Sequence, residues 1–205
     1  MAGKPQQRTL ATRRRILEAA SRLIVEQGFD ATSVDVIASE AGVAKATVFA
    51  HFADKASLLI ALHLEQLENL SAAMEAEVVG LAQDPARKSA SIEMARLLAP
   101  WLALYRENPE FARLFLVQST LKDGPYTRQF LDACFGMEAK VMRGLSILSS
   151  RNALRDKADI AILTQGVLAF YYHVSVGYNL YHVSTAAEQS ALMQGLLEAL
   201  LEGAA

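Results

Sequence analysis

The chain has 205 residues, of which 52% are hydrophobic and 20% charged, with a formal net charge of −2 at pH 7. This length and composition can bury a substantial core, which excludes a disordered chain. The single cysteine, Cys134, excludes an intramolecular disulfide, and the polar, arginine-rich N-terminus does not have the pattern of a signal peptide. We therefore expect a cytoplasmic location.

The near-zero net charge hides a basic N-terminal region. Residues 1–53 hold seven Lys and Arg against five Asp and Glu, whereas the remaining residues hold 13 basic and 17 acidic side chains. Lys4, Arg8, Arg13, Arg14 and Arg15 lie in the first 15 residues, which contain no acidic residue. Such a cluster is typical of a surface that binds nucleic acid, and the alternative is a solubilising tail.

Helical periodicity dominates the chain and no strand alternation appears, so we predict an all-α protein of about nine helices. Residues 1–8 are predicted to be a disordered basic arm. The first helix is predicted to run from about residue 9 to residue 27, and Gly28 is expected to stop it.

Residues 33–55 predict two short helices that meet at a tight turn. Ser33 can cap the first helix, and Gly42 can supply the left-handed backbone that ends it. The second helix is expected to be anchored by Val43, Val48 and Phe52. Its other side, residues 45–47 and 49–50, would then face a major groove about 12 Å wide.

The motif resembles the DNA-binding domain of the TetR/AcrR family of transcriptional regulators. The residues that carry the resemblance are Gly-Phe-Asp-Ala-Thr-Ser at 28–33, Ile37, Ala38, Ala41, Gly42, Val43, Lys45, Thr47, Phe49, His51, Phe52 and Lys55. The resemblance covers about residues 9–60. It implies a helix-turn-helix DNA-binding domain at 9–53, followed by a larger helical ligand-binding and dimerisation domain at 54–205.

By this resemblance we expect a homodimeric repressor, or less often an activator, that a small ligand releases from a palindromic operator. The predicted DNA-binding residues are Thr32, Ser33, Lys45, Ala46, Thr47, Phe49, His51, Lys55, Arg13 and Arg14. Lys45 and Thr47 would approach base edges, Ala46 and Phe49 a thymine methyl, and the others the phosphate backbone. Phe49 departs from the family's usual tyrosine, and Ala50 from a frequent histidine or large aromatic residue.

The rest of the chain is predicted to form further helices at about residues 55–79, 88–106, 110–120, 126–148, 156–181 and 185–202. Pro100 is expected to kink the second of these helices. Within the last but one of these helices, residues 160–181 form the longest apolar region of the chain, which is interrupted by Thr164, Gln165, His173, Ser175 and Asn179. We interpret it as a buried or interface helix and not as a membrane span.

The middle helices hold aromatic, methionine and mildly polar residues that suit a pocket for a lipophilic or aromatic effector. The predicted ligand-binding residues are Met94, Trp101, Tyr105, Phe115, Gln118, Phe130, Cys134, Met137, Phe170 and His173. The alternative for each of them is ordinary core packing, because α-helical domains pack with the same residue types.

The last two helices are predicted to form the dimer interface. Small residues at Gly166, Ala169 and Gly177 permit close approach on one helix, and Leu192, Leu196 and Leu200 form a stripe on the other. In the similar family, the corresponding pair builds a four-helix bundle between subunits. The alternative is that these residues close the core of a single chain.

We do not expect an enzyme, a metal site or a cofactor. The four histidines do not have the HExxH spacing used in one common type of zinc site, and Cys134 has no neighbouring base in sequence. No Gly-rich phosphate loop or GxSxG motif is present. Because of Phe49 and Ala50, we also consider a second function, a helical binding or protein-interaction module that has lost specific operator recognition.

Overall fold

The computed structural model of the protein describes residues 4–112, 123–155, 159–179 and 185–203. These residues form eight helices that we number in chain order: α1 (Lys4–Gln27), α2 (Val34–Glu40), α3 (Lys45–Phe52), α4 (Lys55–Gln83), α5 (Ala90–Glu107), α6 (Pro125–Ser149), α7 (Ile160–Asn179) and α8 (Ala186–Leu201). A ninth helical segment starts at residue 109 and reaches the end of its described range at 112. The described ranges contain no strand, and the predicted all-α class is confirmed.

The start of α1 differs from the prediction. The helix begins at Lys4, so residues 4–8, which were predicted to be a disordered arm, are helical. Pro5 is compatible with this early start, because proline is tolerated in the first turn of a helix, where its missing N–H would have no intrahelical partner. The basic residues at positions 8 and 13–15 are therefore presented on a regular helix.

The chain divides into two compact units: Met1–Glu65 with Val117–Phe130, and Gln66–Leu116 with Leu131–Ala205. The first unit contains α1 to α3 and the first turns of α4. The division therefore falls later than the predicted boundary at residue 54, and it adds a downstream segment to the first unit. Its core is built from buried apolar residues, namely Ile16, Ala19, Ala20, Ile37, Ala38, Ala41, Val48, Phe52, Leu58 and Ala61.

The second unit packs α5, α7 and α8 against one another. Buried side chains from all three helices fill its interior, including Met94 and Leu98 of α5, Val167 of α7, and Leu197 of α8. The helix α5 continues through Pro100 without ending there. The predicted kink at that residue stays a prediction.

Within the described ranges, α7 is the one helix long and apolar enough to cross a membrane by length and composition alone. Its residues Val167, Tyr171 and Val174 are fully buried inside the second unit. A core helix that packs against α5 and α8 explains this apolar composition.

Arg151 fastens the loop that follows α4 in the second unit. Its guanidinium donates to the carbonyl oxygens of Leu81 (2.7 Å), Ala82 (3.2 Å), Asp84 (3.0 Å) and Arg87 (3.0 Å). The last carbonyls of a helix have no intrahelical partner, and one arginine here satisfies those at the end of α4.

Arg87 forms an ion-pair cluster beside this loop. It bonds Glu77 of α4, with 3.0 Å between the nitrogen and the oxygen, and it also bonds Glu93 of α5. The Glu93 side chain is only 5% exposed, and Arg96 lies 3.6 Å from the same carboxylate. A buried carboxylate requires such partners, because losing its hydration is costly.

Candidate nucleic-acid interface

The turn between α2 and α3 has the geometry that the sequence predicts. Ser33 adopts an extended backbone, and its hydroxyl oxygen accepts from the Val36 N–H at 3.2 Å, which caps α2. Gly42 has a φ of +62° and donates to the Ser39 carbonyl at 3.1 Å, while Val43 donates to the Ala38 carbonyl at 2.9 Å. This pair of bonds is a Schellman motif, which requires a left-handed residue where Gly42 lies.

The helix α3 is held by one face and leaves the other open. Val48 and Phe52 are 2% and 1% exposed and belong to the core of the first unit. On the opposite side Lys45, Ala46 and Ala50 are exposed, Thr47 and His51 are partly buried, and Phe49 is 43% exposed. We call this open side, residues 45–47 and 49–51, the reading face. It carries one cation, one hydroxyl, one imidazole, one large apolar side chain and two alanines.

The end of α3 leads directly into α4. Ala53 ends α3 with a φ of +57°, a conformation that residues other than glycine adopt at some cost. Asp54 then accepts from the Ser57 N–H at 2.7 Å, so the prediction that Asp54 caps α4 is confirmed. The two helices are thus joined by a short, strained turn.

Both predicted DNA-binding lysines have partners in the first unit. Lys45 bonds Asp35 of α2 at 2.8 Å, and both side chains are more than half exposed. An exposed pair is weak, so DNA phosphate or a base edge can replace Asp35 at low cost. Lys55 donates to the carbonyl of Phe29, and its ammonium lies 4.1 Å from the centroid of the Phe29 ring. Lys55 therefore also stabilises the loop between α1 and α2.

The two predicted DNA-binding arginines differ in environment. The Arg14 side chain is 77% exposed and lies 3.6 Å from Glu18. Arg13 is partly buried, and its Nε donates to the Tyr126 hydroxyl at 3.0 Å. Its guanidinium also lies 5.5 Å from the Tyr126 ring centroid and 6.0 Å from that of Phe52. Only Arg14 of this pair presents its charge freely to solvent.

The structure corrects the prediction for Thr32. It was predicted as a possible backbone contact to DNA, but it is fully buried, and its hydroxyl donates to the Gly28 carbonyl at 2.7 Å. The hydroxyl of a threonine near a helix C-terminus readily satisfies a terminal carbonyl, and this local preference was the signal that sequence reasoning missed. Its neighbour Ser33 is exposed and remains a candidate.

The predicted ligand-binding residues do not all lie in one place. Met94, Trp101, Tyr105 and Met137 are buried in the second unit, and Phe170 and Cys134 are partly buried there. His173 is exposed on α7 and so lies outside this buried set, and its role in ligand binding stays a prediction. Phe130 is buried but belongs to the first unit. Phe115 and Gln118 lie outside the described residues.

Aromatic rings and polar groups meet inside the second unit. The Tyr105 ring stacks on Phe111, with centroids 5.5 Å apart, and meets Tyr171 edge-on at 6.4 Å. Burial raises the pKa of both tyrosine hydroxyls well above the usual value. The Trp101 indole N–H is also buried and has no hydrogen-bond partner among the described residues. An unpaired buried donor costs stability unless a ligand or water accepts from it.

The predicted dimer-interface residues fall into two groups. A Cβ added at Gly166 would lie 2.9 Å from Leu200, so these two residues already pack against each other in one chain, and Gly177 is buried. Leu192 and Leu196 of α8 are partly buried, whereas Ala169 of α7 is exposed. Gly166, Leu200 and Gly177 therefore accord with the alternative that these residues close the core of a single chain.

A helix-turn-helix whose second helix leaves one face open has the geometry that DNA-binding regulators use to enter the major groove. Residues 16–62, which contain the helix-turn-helix, match the model of the bacterial regulatory proteins of the tetR family. The predictions of the family and of a protein that is not an enzyme are thereby confirmed.

Individual relatives agree with the family assignment. The chain is 25% identical over 190 residues to the HTH-type transcriptional regulator YerO of Bacillus subtilis, a match that covers 92% of this chain and 64% of YerO. The chain thus spans less than two thirds of the length of that relative.

Two solved structures share the fold. FadR from Bacillus subtilis in complex with stearoyl-CoA has a TM-score of 0.66 at 19% identity, with 94% of this chain and 99% of that chain covered. Thermus thermophilus FadR, a repressor in complex with lauroyl-CoA, has a TM-score of 0.67 at 17% identity, with 94% and 95% covered. At these identities the likeness shows the fold alone.

Proposed function

We propose that this regulator is a cytoplasmic repressor that binds a palindromic operator as a homodimer and leaves it when a lipophilic effector binds the second unit. The observation that carries the proposal is the reading face. Lys45 and Thr47 can hydrogen-bond base edges, and Phe49, 43% exposed, offers apolar contact to a thymine methyl. Ser33, His51, Lys55 and Arg14 remain the candidates for phosphate contacts.

Dimerisation is part of the proposal because one helix-turn-helix, α2 and α3 with Ser33 and the turn between them, which we call the reading head, contacts only one half-site. Two heads must lie about 34–36 Å apart, or a multiple of it, to meet successive turns of a palindrome. Exposed Ala169 and Ile162 on α7, with partly buried Leu192 and Leu196 on α8, offer an apolar surface for the second copy. A charge at Leu196 is expected to give monomers in sedimentation velocity, whereas a persistent dimer would contradict this interface.

The effector is proposed to be a long-chain acyl thioester. Two FadR structures with this fold hold stearoyl-CoA and lauroyl-CoA, and the buried aromatic and methionine residues of the second unit suit an acyl chain. An effector that binds the released form about 100-fold more tightly supplies roughly 2.7 kcal/mol for the change. Equal affinity for free and operator-bound protein would refute this step.

The experiment that tests operator recognition is selection of genomic fragments by the purified protein at near-physiological salt. We expect an enriched palindrome. Thr47→Ala is expected to relax the preference at particular bases, whereas the matched control Arg14→Ala is expected to weaken all fragments equally. Uniform recovery by the unsubstituted protein would refute specific recognition.

The effector is tested separately, by anisotropy of the labelled operator during titration with lauroyl-CoA, stearoyl-CoA and free coenzyme A. Release by the acylated compounds, with no release by coenzyme A, is the expected result. No release by any of them would remove acyl thioesters from the proposal and leave operator binding intact.

The second candidate is a binding module without operator specificity, and the composition of the reading face favours it. Phe49 lacks the phenolic hydroxyl that could bond a phosphate, and the exposed Ala50 adds no polar group. Basic side chains on α1 would still give nonspecific affinity. Sequence preference, and not binding alone, distinguishes the two candidates.

A further inference from the structure

Residues 123–130 lie far from the reading head in sequence but belong to the same compact unit. Tyr126 lies in the first turn of α6 and is partly buried, and its ring stacks on Phe52 with centroids 5.6 Å apart and planes 27° apart. Phe52 is the last residue of α3, which carries the reading face. An element from the middle of the chain thus covers the end of the reading helix.

Arg13 of α1 completes the contact. It donates to the Tyr126 hydroxyl at 3.0 Å, and its guanidinium lies within 6.0 Å of the Phe52 ring centroid. Arginine over aromatic faces is an attractive arrangement, and its planar group can stack and hydrogen-bond at once. Three elements, α1, α3 and α6, therefore meet through one arginine and two rings, which we call the Tyr126 clamp.

We propose that Tyr126 is a positioning residue of the DNA-reading unit, an inference that rests on the proposed function. By holding Phe52, it fixes the C-terminal end of α3, where the chain turns at once through the left-handed Ala53. Base readout depends on this position, because hydrogen bonds to base edges tolerate only small displacements. The clamp also keeps the Arg13 charge bound inside the unit, so Arg13 does not act as a phosphate contact.

The Tyr126 clamp affects specific and nonspecific affinity in opposite directions, because it holds α3 in place and also binds the Arg13 charge. Displacing α3 harms the contacts to base edges but leaves the phosphate-binding charges in place. Releasing Arg13 adds a mobile cation, which strengthens binding to any duplex at low salt. Removal of the Tyr126 ring is therefore expected to lower specificity and raise nonspecific affinity together, which a general loss of folding would not do.

The test compares Tyr126→Ala, Tyr126→Phe and Arg14→Ala in the full-length protein, with affinities for selected and random duplexes at several salt concentrations. For Tyr126→Ala we expect the ratio of specific to random affinity to fall at least about tenfold, with a salt slope about 0.9 steeper for one added phosphate contact. Tyr126→Phe keeps the ring stack and loses only the hydrogen bond, so its specificity is expected to change less. Arg14→Ala, the control, is expected to make the slope shallower with an unchanged ratio.

Hydrogen exchange of the α3 amides supplies a readout that does not depend on DNA. Tyr126→Ala is expected to lower protection in α3 while protection in α5 and α8 stays unchanged. Unchanged α3 protection, or an unchanged affinity ratio in both Tyr126 variants, would overturn the clamp. An unsubstituted protein that shows no sequence preference would overturn the proposed function instead, and α3 exchange alone would then decide the positioning role.

Discussion

Replacement of Arg87 by methionine is expected to destabilise the second unit far more than the same replacement of Arg143. Both arginines bond a glutamate of α4: Arg87 bonds Glu77 at 3.0 Å, and Arg143 bonds both oxygens of Glu75 at 2.9 and 2.8 Å. Judged by its bidentate geometry alone, the Arg143 pair would be the stronger of the two. Burial favours Arg87, whose side chain is 17% exposed against 51% for Arg143.

The expected magnitude follows from the carboxylate that remains after each replacement. Without Arg87, the 5%-exposed Glu93 keeps one cationic partner among the residues that the structure describes, Arg96 at 3.6 Å. Breaking a buried ion pair costs about 3–5 kcal/mol, and the remaining partner reduces this to roughly 2–3 kcal/mol. Loss of Arg143 leaves Glu75 in water, where it is readily hydrated, so this replacement is expected to cost much less.

The measurement is urea unfolding of both variants at one fixed protein concentration, because oligomer formation would make apparent stability depend on concentration. For a chain of this size, the difference corresponds to a melting temperature about 5–10 °C lower for Arg87→Met. Equal losses in the two variants would refute the reasoning, because burial would then not decide the strength of these pairs.

Three further predictions test other parts of the structure. Burial raises the pKa of the Cys134 thiol to about 12. Native protein at pH 8 is therefore expected to react with iodoacetamide at least about 100-fold more slowly than urea-unfolded protein, and equal rates would contradict this burial. Gly42→Ala, at a φ of +62°, is expected to lower the free energy of unfolding by about 1 kcal/mol, whereas Gly136→Ala inside α6 is expected to raise it by roughly 0.5 kcal/mol. If denaturant unfolding gave changes of the same sign for both variants, the backbone role assigned to Gly42 would be refuted. Asp35→Asn frees Lys45 and is expected to raise affinity for random duplex about two- to fivefold in a filter-binding assay, and no change would place Lys45 away from DNA.

The reading head was predictable because its determinants are local in sequence. A capping serine, a glycine that must be left-handed and apolar residues at helical spacing act within a few residues of one another, so Ser33, Gly42 and Val48 were assigned correctly. The order and approximate bounds of the helices followed from the same kind of signal. Helix ends were less accurate: α1 starts earlier and α4 ends later than predicted.

Features that depend on distant contacts were not predictable. Arg13 belongs to a basic run that reads as a solvated, DNA-facing cluster, yet its partner Tyr126 is 113 positions away. Arg151 likewise looks like an ordinary surface arginine in the sequence, yet it donates to the carbonyl of Leu81, 70 positions away. Charge patterns in sequence report how many ionic groups exist, whereas tertiary packing decides which of them are buried and paired.

The Tyr126 clamp limits how this regulator can be divided or recombined. The part that matches the family model ends at residue 62, but the ring over Phe52 comes from residue 126. A chimera that takes only residues 1–65 would carry Arg13 and Phe52 into a protein whose own residue at the position equivalent to Tyr126 would then face them. Exchange of DNA specificity between regulators of this kind therefore requires two segments, the reading head and the start of α6, to be transferred together.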